Sequence, residues 1–212
     1  MSTLKLYLSS STGATYSPES RRGAWDAAGA GWGWGAFKTT KEGAVAYVSI
    51  TANTTADYDW AMLGFAYVLP EAADFSGAYA GVIGILEGDA NIAAQLHIHA
   101  YVLAGQTESL RGTLISDYID PDEAEASFNA GEGFSGTVSD VSAQAGDVLV
   151  VEFGCRTNSS VSNVVRLYVG GTDATDLADG ADVQTYPGWM QFAYTTPSGL
   201  LIPVLNHLLL GD

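Results

Sequence analysis

The chain has 212 residues, 47% of them hydrophobic, with 8 Lys and Arg against 24 Asp and Glu, a formal charge of −16. That length and apolar content suit one all-β domain with a sizeable core, and the acidic field excludes a nucleic-acid backbone as partner. A lone cysteine, Cys155, excludes an intramolecular disulfide, and no apolar stretch reaches the roughly 20 residues of a membrane helix. Met1 to Lys5 lack the apolar region of a signal peptide, so synthesis in a reducing cytoplasm is expected. Charged residues make up only 15% of the chain, which suits a surface partly covered by a partner.

Leu4 to Leu8 alternates and predicts a first strand. Ser9 to Thr40 contains Gly29-Ala30-Gly31-Trp32-Gly33-Trp34-Gly35, too glycine-rich for a stable strand, and reads as an extended arm pinned by its tryptophans. Strands are then expected at Ala44–Ala52, Trp60–Leu69, Tyr79–Leu86, Ala94–Leu103 and Leu110–Ile119, with a weaker one around Phe134–Val141. Val148–Phe153, Val164–Val169 and Trp189–Tyr194 complete the set. Leu96–Leu103 and Val148–Phe153 are the most apolar and belong at the centre. Many short strands with frequent turns predict an all-β, antiparallel sandwich of the jelly-roll kind. Residues 1–198 form its single domain, with residues 9–40 as the arm and residues 199–212 as an apolar C-terminal tail.

Several constellations could carry chemistry. His97 and His99 lie two apart on a strand, so their rings share a face. With Glu87 or Glu152 they could form a metal site; the plainer reading is a structural pair. The acidic loops Asp120–Glu125 and Asp173–Asp182 offer hard oxygens for calcium but miss the EF-hand spacing, and solvated loops fit them better. Neither Gly-x-Ser-x-Gly nor a phosphate-binding glycine loop with Lys-Ser/Thr occurs. Among the aromatics, Trp25, Trp32 and Trp34 suit anchoring against a partner. Tyr16, Trp32 and Trp34 could instead stack on a glycan.

Tyr16-Ser17-Pro18, Arg22-Gly23-Ala24-Trp25-Asp26, Leu96 to Val102, Leu110 to Leu114 and Ala145 to Gly154 together resemble a group of virion proteins of tailed bacteriophages. In that group an Arg-Gly-Ala-Trp-Asp segment follows the first strand and an Ala-Gly-Asp strand comes late. The likeness covers roughly residues 4 to 195. It implies a non-enzymatic structural protein of the virion, a capsid decoration or tail-associated subunit, with no catalytic residue, metal or cofactor. Its partners would be other virion subunits, itself included, and a surface glycan in the carbohydrate-binding alternative. Nucleic acid and membrane are not expected partners. Docking would use Trp25, Trp32 and Trp34 of the arm and Leu201, Leu205 and Leu208 of the tail.

Overall fold

In Leu4–Leu8 every second side chain enters the core: Leu6 and Leu8 are buried, while Lys5 points outward to Asp176. The computed structural model describes residues 1–89, 91–124, 130–159, 162–182 and 186–197. The tail residues Leu201, Leu205 and Leu208 lie outside them. Twelve strands occur among the described residues, and no helix. They are β1 (Ser2–Gly13), β2 (Ala27–Ala28), β3 (Trp34–Lys38), β4 (Ala46–Ala52), β5 (Tyr58–Val68) and β6 (Ala73–Glu87). After these come β7 (Gln95–Leu103), β8 (Leu110–Ile119), β9 (Ala130–Ala143), β10 (Val148–Thr157), β11 (Asn163–Val169) and β12 (Trp189–Thr195).

The strands join in one mixed sheet, in the order β4-β11-β6-β12-β1-β3-β5-β10-β7-β8, with β9 paired to β6 and β2 to β5. The all-β expectation holds, but the antiparallel one needs correcting, because β2 and β3 both run parallel to β5. The reason is connectivity. Between β3 and β5 the chain leaves to form β4, which pairs with β11, and returns beside β3 in the same direction.

The arm is also corrected. Part of Ser9–Thr40 is sheet: β1 continues to Gly13, and β2 and β3 lie inside the segment. At Gly35 of β3 and at Gly64 of the paired β5, rings take the place of the missing side chains. A Cβ at Gly64 would meet the Trp34 ring at 2.1 Å, and one at Gly35 would meet the Phe65 ring at 2.6 Å.

The two apolar central runs pair with each other from Val148↔Leu103 to Arg156↔Gln95, and β5 flanks β10 on its other side. One face of this pair, Leu96, Ile98, Leu149, Val151 and Phe153, enters the main core. There Phe153 of β10 meets Phe134 of β9, ring centroids 6.4 Å apart, so strands distant along the sheet share one interior. Burial of each such phenylalanine contributes on the order of 2 kcal/mol. The opposite face carries Tyr101, Leu103, Val148 and Val150, buried beneath Tyr16 and Trp34 of the arm. Coverage on both faces explains why these strands read as nearly continuous apolar runs.

Candidate functional site

Glu152 is the one charged residue inside the Val148–Phe153 run, and it is fully buried. A buried carboxylate needs donors, and the arm supplies them. One oxygen accepts the backbone N–H of Arg22 at 2.8 Å and the Tyr101 hydroxyl at 2.9 Å. The other accepts the Gly23 N–H at 2.9 Å and the Trp25 indole N–H at 2.6 Å. Burial, with the Glu152 charge beside it, pushes the Tyr101 phenol far above its ordinary range. The Arg-Gly-Ala-Trp-Asp segment is thus clasped to the face of β10.

Around this clasp lies a titratable cluster. His97 Nδ1 stands 3.1 Å from Asp59 and its Nε2 3.4 Å from Asp117, while the Trp25 ring lies over the imidazole with centroids 4.3 Å apart. Arg156 bonds both oxygens of Asp59, at 2.9 and 2.7 Å. Burial alone would raise the Asp59 carboxyl, but the Arg156 guanidinium and His97 outweigh it and hold it below the usual carboxylate range. Asp26 completes the fastening: its carboxylate accepts the Asp59 N–H at 2.8 Å, and its own N–H bonds the Asp59 carbonyl.

Asp117 sits at a positive φ of 55°, where the β7–β8 register shifts. That backbone places one carboxylate oxygen 3.3 Å from His99 Nδ1 and 3.1 Å from the Ala24 N–H. Burial holds the His99 imidazole below its ordinary pKa, against the pull of Asp117 and Glu152. A histidine with a lowered folded pKa contributes stability that is complete above about pH 6.5 and is lost as pH falls through the folded value. The chain is therefore expected to lose stability as pH falls below about 6.5. Chemical denaturation across that range should show a slope that His99→Gln flattens; an unchanged slope would exclude this origin.

The Ala145-Gly146-Asp147 turn is fastened in the same manner. Asp147 takes Arg111 at 2.5 Å and the N–H groups of Gly105 and Gln144 at 2.8 and 2.7 Å. Burial would raise its carboxyl, yet these donors hold it below the usual range.

The other expected residues are dispersed. Glu87 accepts the Ala94 N–H, and Cys155 is a buried free thiol raised by burial. In the first acidic loop Asp120 accepts the Tyr118 hydroxyl and the Asp122 N–H. In the second, Asp176 binds Lys5 and Lys41. Among the described residues no three His, Cys, Asp or Glu side chains group to hold a metal ion. Tyr16 donates to Glu108 at 2.6 Å, and burial together with that bond pushes its phenol up to about 12. Trp32 meets Trp34 edge-on at 5.2 Å, with the Arg21 guanidinium 5.4 Å from the Trp32 ring. Sequence reasoning missed Asp59, Asp117 and Arg156, whose meeting depends on strand register.

A cleft of about 310 Å³ opens between β1, β3 and β4, with Ser9, Ser10, Trp34, Tyr47 and Phe65 in its walls. Tyr47, half exposed on β4, lies opposite Tyr168 of β11 with ring centroids 5.6 Å apart, and the Arg166 guanidinium is 4.9 Å from its ring.

No family model matches the sequence, and no curated protein matches it. Solved structures do. A CocE/NonD family hydrolase from Staphylococcus aureus superposes with a TM-score of 0.51 over 92% of this chain, at 9% identity. An aminopeptidase from the marine sediment archaeon Thaumarchaeota archaeon does so with a TM-score of 0.50 over 92%, at 7% identity. The chain spans 36% and 37% of the length of those two chains. The expectation of a non-enzymatic protein is corrected by these matches, since a hydrolase and an aminopeptidase both contain a β-fold of this kind. What is shared at such identity is the fold alone.

Proposed function

We propose that the chain is a structural subunit of a tailed-bacteriophage virion, built on a jelly-roll-like β-sandwich and placed as a capsid decoration or tail-associated protein. One observation carries the reading. The separate segments that give the resemblance come together in space: Arg22–Asp26 clasps Glu152 of the Ala145–Gly154 segment over the His97–His99 face. Arg111 of the Leu110–Leu114 segment closes on Asp147. Four of these stretches thus meet through two fastenings on β10 and its preceding turn. The net charge of −16 suits the outside of a particle. In this reading Leu201, Leu205 and Leu208, with the exposed parts of Trp25 and Trp32, contact neighbouring subunits.

The test is incorporation. Peptides of the full chain should be recovered from purified phage particles in fixed proportion to the major capsid protein. A chain ending at residue 198 should stay in the soluble lysate. Full-length protein found only in the soluble fraction overturns the proposal.

A further inference from the structure

We infer that the cleft between β1, β3 and β4 is a binding site for a neutral saccharide, held against Trp34 and Tyr47. The strongest indication comes from two glycines. Gly13 and Gly33 both line the cleft, and a Cβ built on either would have no atom within 4 Å. Neither has a positive φ, so no backbone conformation demands glycine there. Packing does not demand it either, in contrast to Gly64 and Gly154, where a Cβ would collide with its surroundings. A Cβ at residue 13 or 33 would project into open space beside the cleft. What the two glycines preserve is open volume.

The walls describe the ligand. None of the described lining residues is Asp, Glu, Lys or Arg, and the charges beside the wall, Glu42 bonded to Ser9 and Arg166 against the Tyr47 ring, are already engaged. An anion would in addition meet the overall field of a chain at −16. Trp34 and Tyr47 provide apolar ring surface over the buried Phe65, and the Ser10 hydroxyl, which donates to the Ala44 carbonyl, offers its oxygen as an acceptor. Flat apolar faces with a polar rim complement a pyranose, which has C–H faces and a girdle of hydroxyls. The volume, about 310 Å³, falls at the small end of ligand sites, as one or two rings require.

Tyr47 is pre-positioned for this role. It is 53% exposed, among the most exposed large apolar residues described, yet its ring is in contact with Tyr168 and Arg166. Rigidity before binding lowers the entropic cost of association. The site differs from the platform expected from the sequence. Trp34 belongs to both, but Tyr16 is bound to Glu108, and Tyr47 takes the second aromatic position. The inference goes beyond the virion reading and does not rest on it.

The experiment is titration of the full chain with glucose, galactose, N-acetylglucosamine, maltose, cellobiose and lactose, followed by tryptophan fluorescence and calorimetry. At least one is expected to bind and to shift the emission. Gly33→Leu should fold with an unchanged melting temperature and bind none. Tyr47→Ala, a change at an exposed side chain, should weaken binding about tenfold, the loss of one aromatic contact. Three results overturn the inference: no binding of any of the six sugars, binding that survives both substitutions, or uptake of an apolar dye by the cleft without sugar binding. None of these bears on particle incorporation.

Discussion

Glu152→Ala is expected to destabilise the chain by roughly 3 to 5 kcal/mol, the cost of removing one partner from a buried charged network. Four donors lose their acceptor together: two arm N–H groups, the Trp25 indole and the Tyr101 hydroxyl. Three of the four belong to the arm, so the damage is directed. The segment around Arg21 and Arg22 should lift from β10 and become a trypsin site. Thermal unfolding should move down by roughly 10 °C, given about 2–4 °C per kcal/mol at this length. Limited trypsin digestion should cut first after Arg21 or Arg22. Glu152→Gln should fall between, because its amide keeps one acceptor but turns an N–H₂ group toward one of the two donor pairs, Arg22 N–H with the Tyr101 hydroxyl or Gly23 N–H with the Trp25 indole. If Glu152→Ala melts as the parent does and trypsin spares the arm, the clasp contributes nothing and the account of it is wrong.

Gly154→Ala is the second large effect, through a single methyl group. The added carbon would lie 1.9 Å from the Trp60 carbonyl oxygen and 2.7 Å from the Trp25 ring. A side-chain tip can give way, but the carbonyl belongs to β5, which is paired along the length of β10. The register between these strands shifts between Phe153 and Gly154, so a bulge brings the two backbones close at this point. Overpacking of this kind costs about 1–3 kcal/mol where neighbours can move, and more where they cannot. The variant is expected to express poorly or to melt at least 10 °C lower, by roughly the same conversion. A near-normal melting curve would show that β5 is free to shift there.

Most of the sheet was legible from residue alternation. Leu96, Ile98, Ala100 and Val102 announce a buried face, and β4 to β12 fall close to where the apolar runs place them. The arm was not legible, for a definite reason. Glycine lowers strand propensity when judged alone, whereas Gly35 and Gly64 are sites where the rings of Phe65 and Trp34 need room. That need appears only once the strands are paired. The site divides in the same way. Glu152 stands out as a charge within a buried run, and a search for its donors would have led to the arm. Asp59, Arg156 and Asp117 offer no such signal. Arg156 and Asp59 are 97 residues apart and meet because the β10–β5 register sets them opposite each other.

The position of β1 governs how the chain reaches this state. The first strand is internal to the sheet, bonded on one side to β12, with Leu6 opposite Met190, and on the other to β3. Synthesis therefore releases β1 long before β12, the strand that completes its ladder. Until then one of its edges is open to pairing with any other extended chain. Closing a loop of that span is slow, in the millisecond-to-second regime of non-local β topologies. The sheet is completed only after β12 has been made, and aggregation competes with folding throughout that interval.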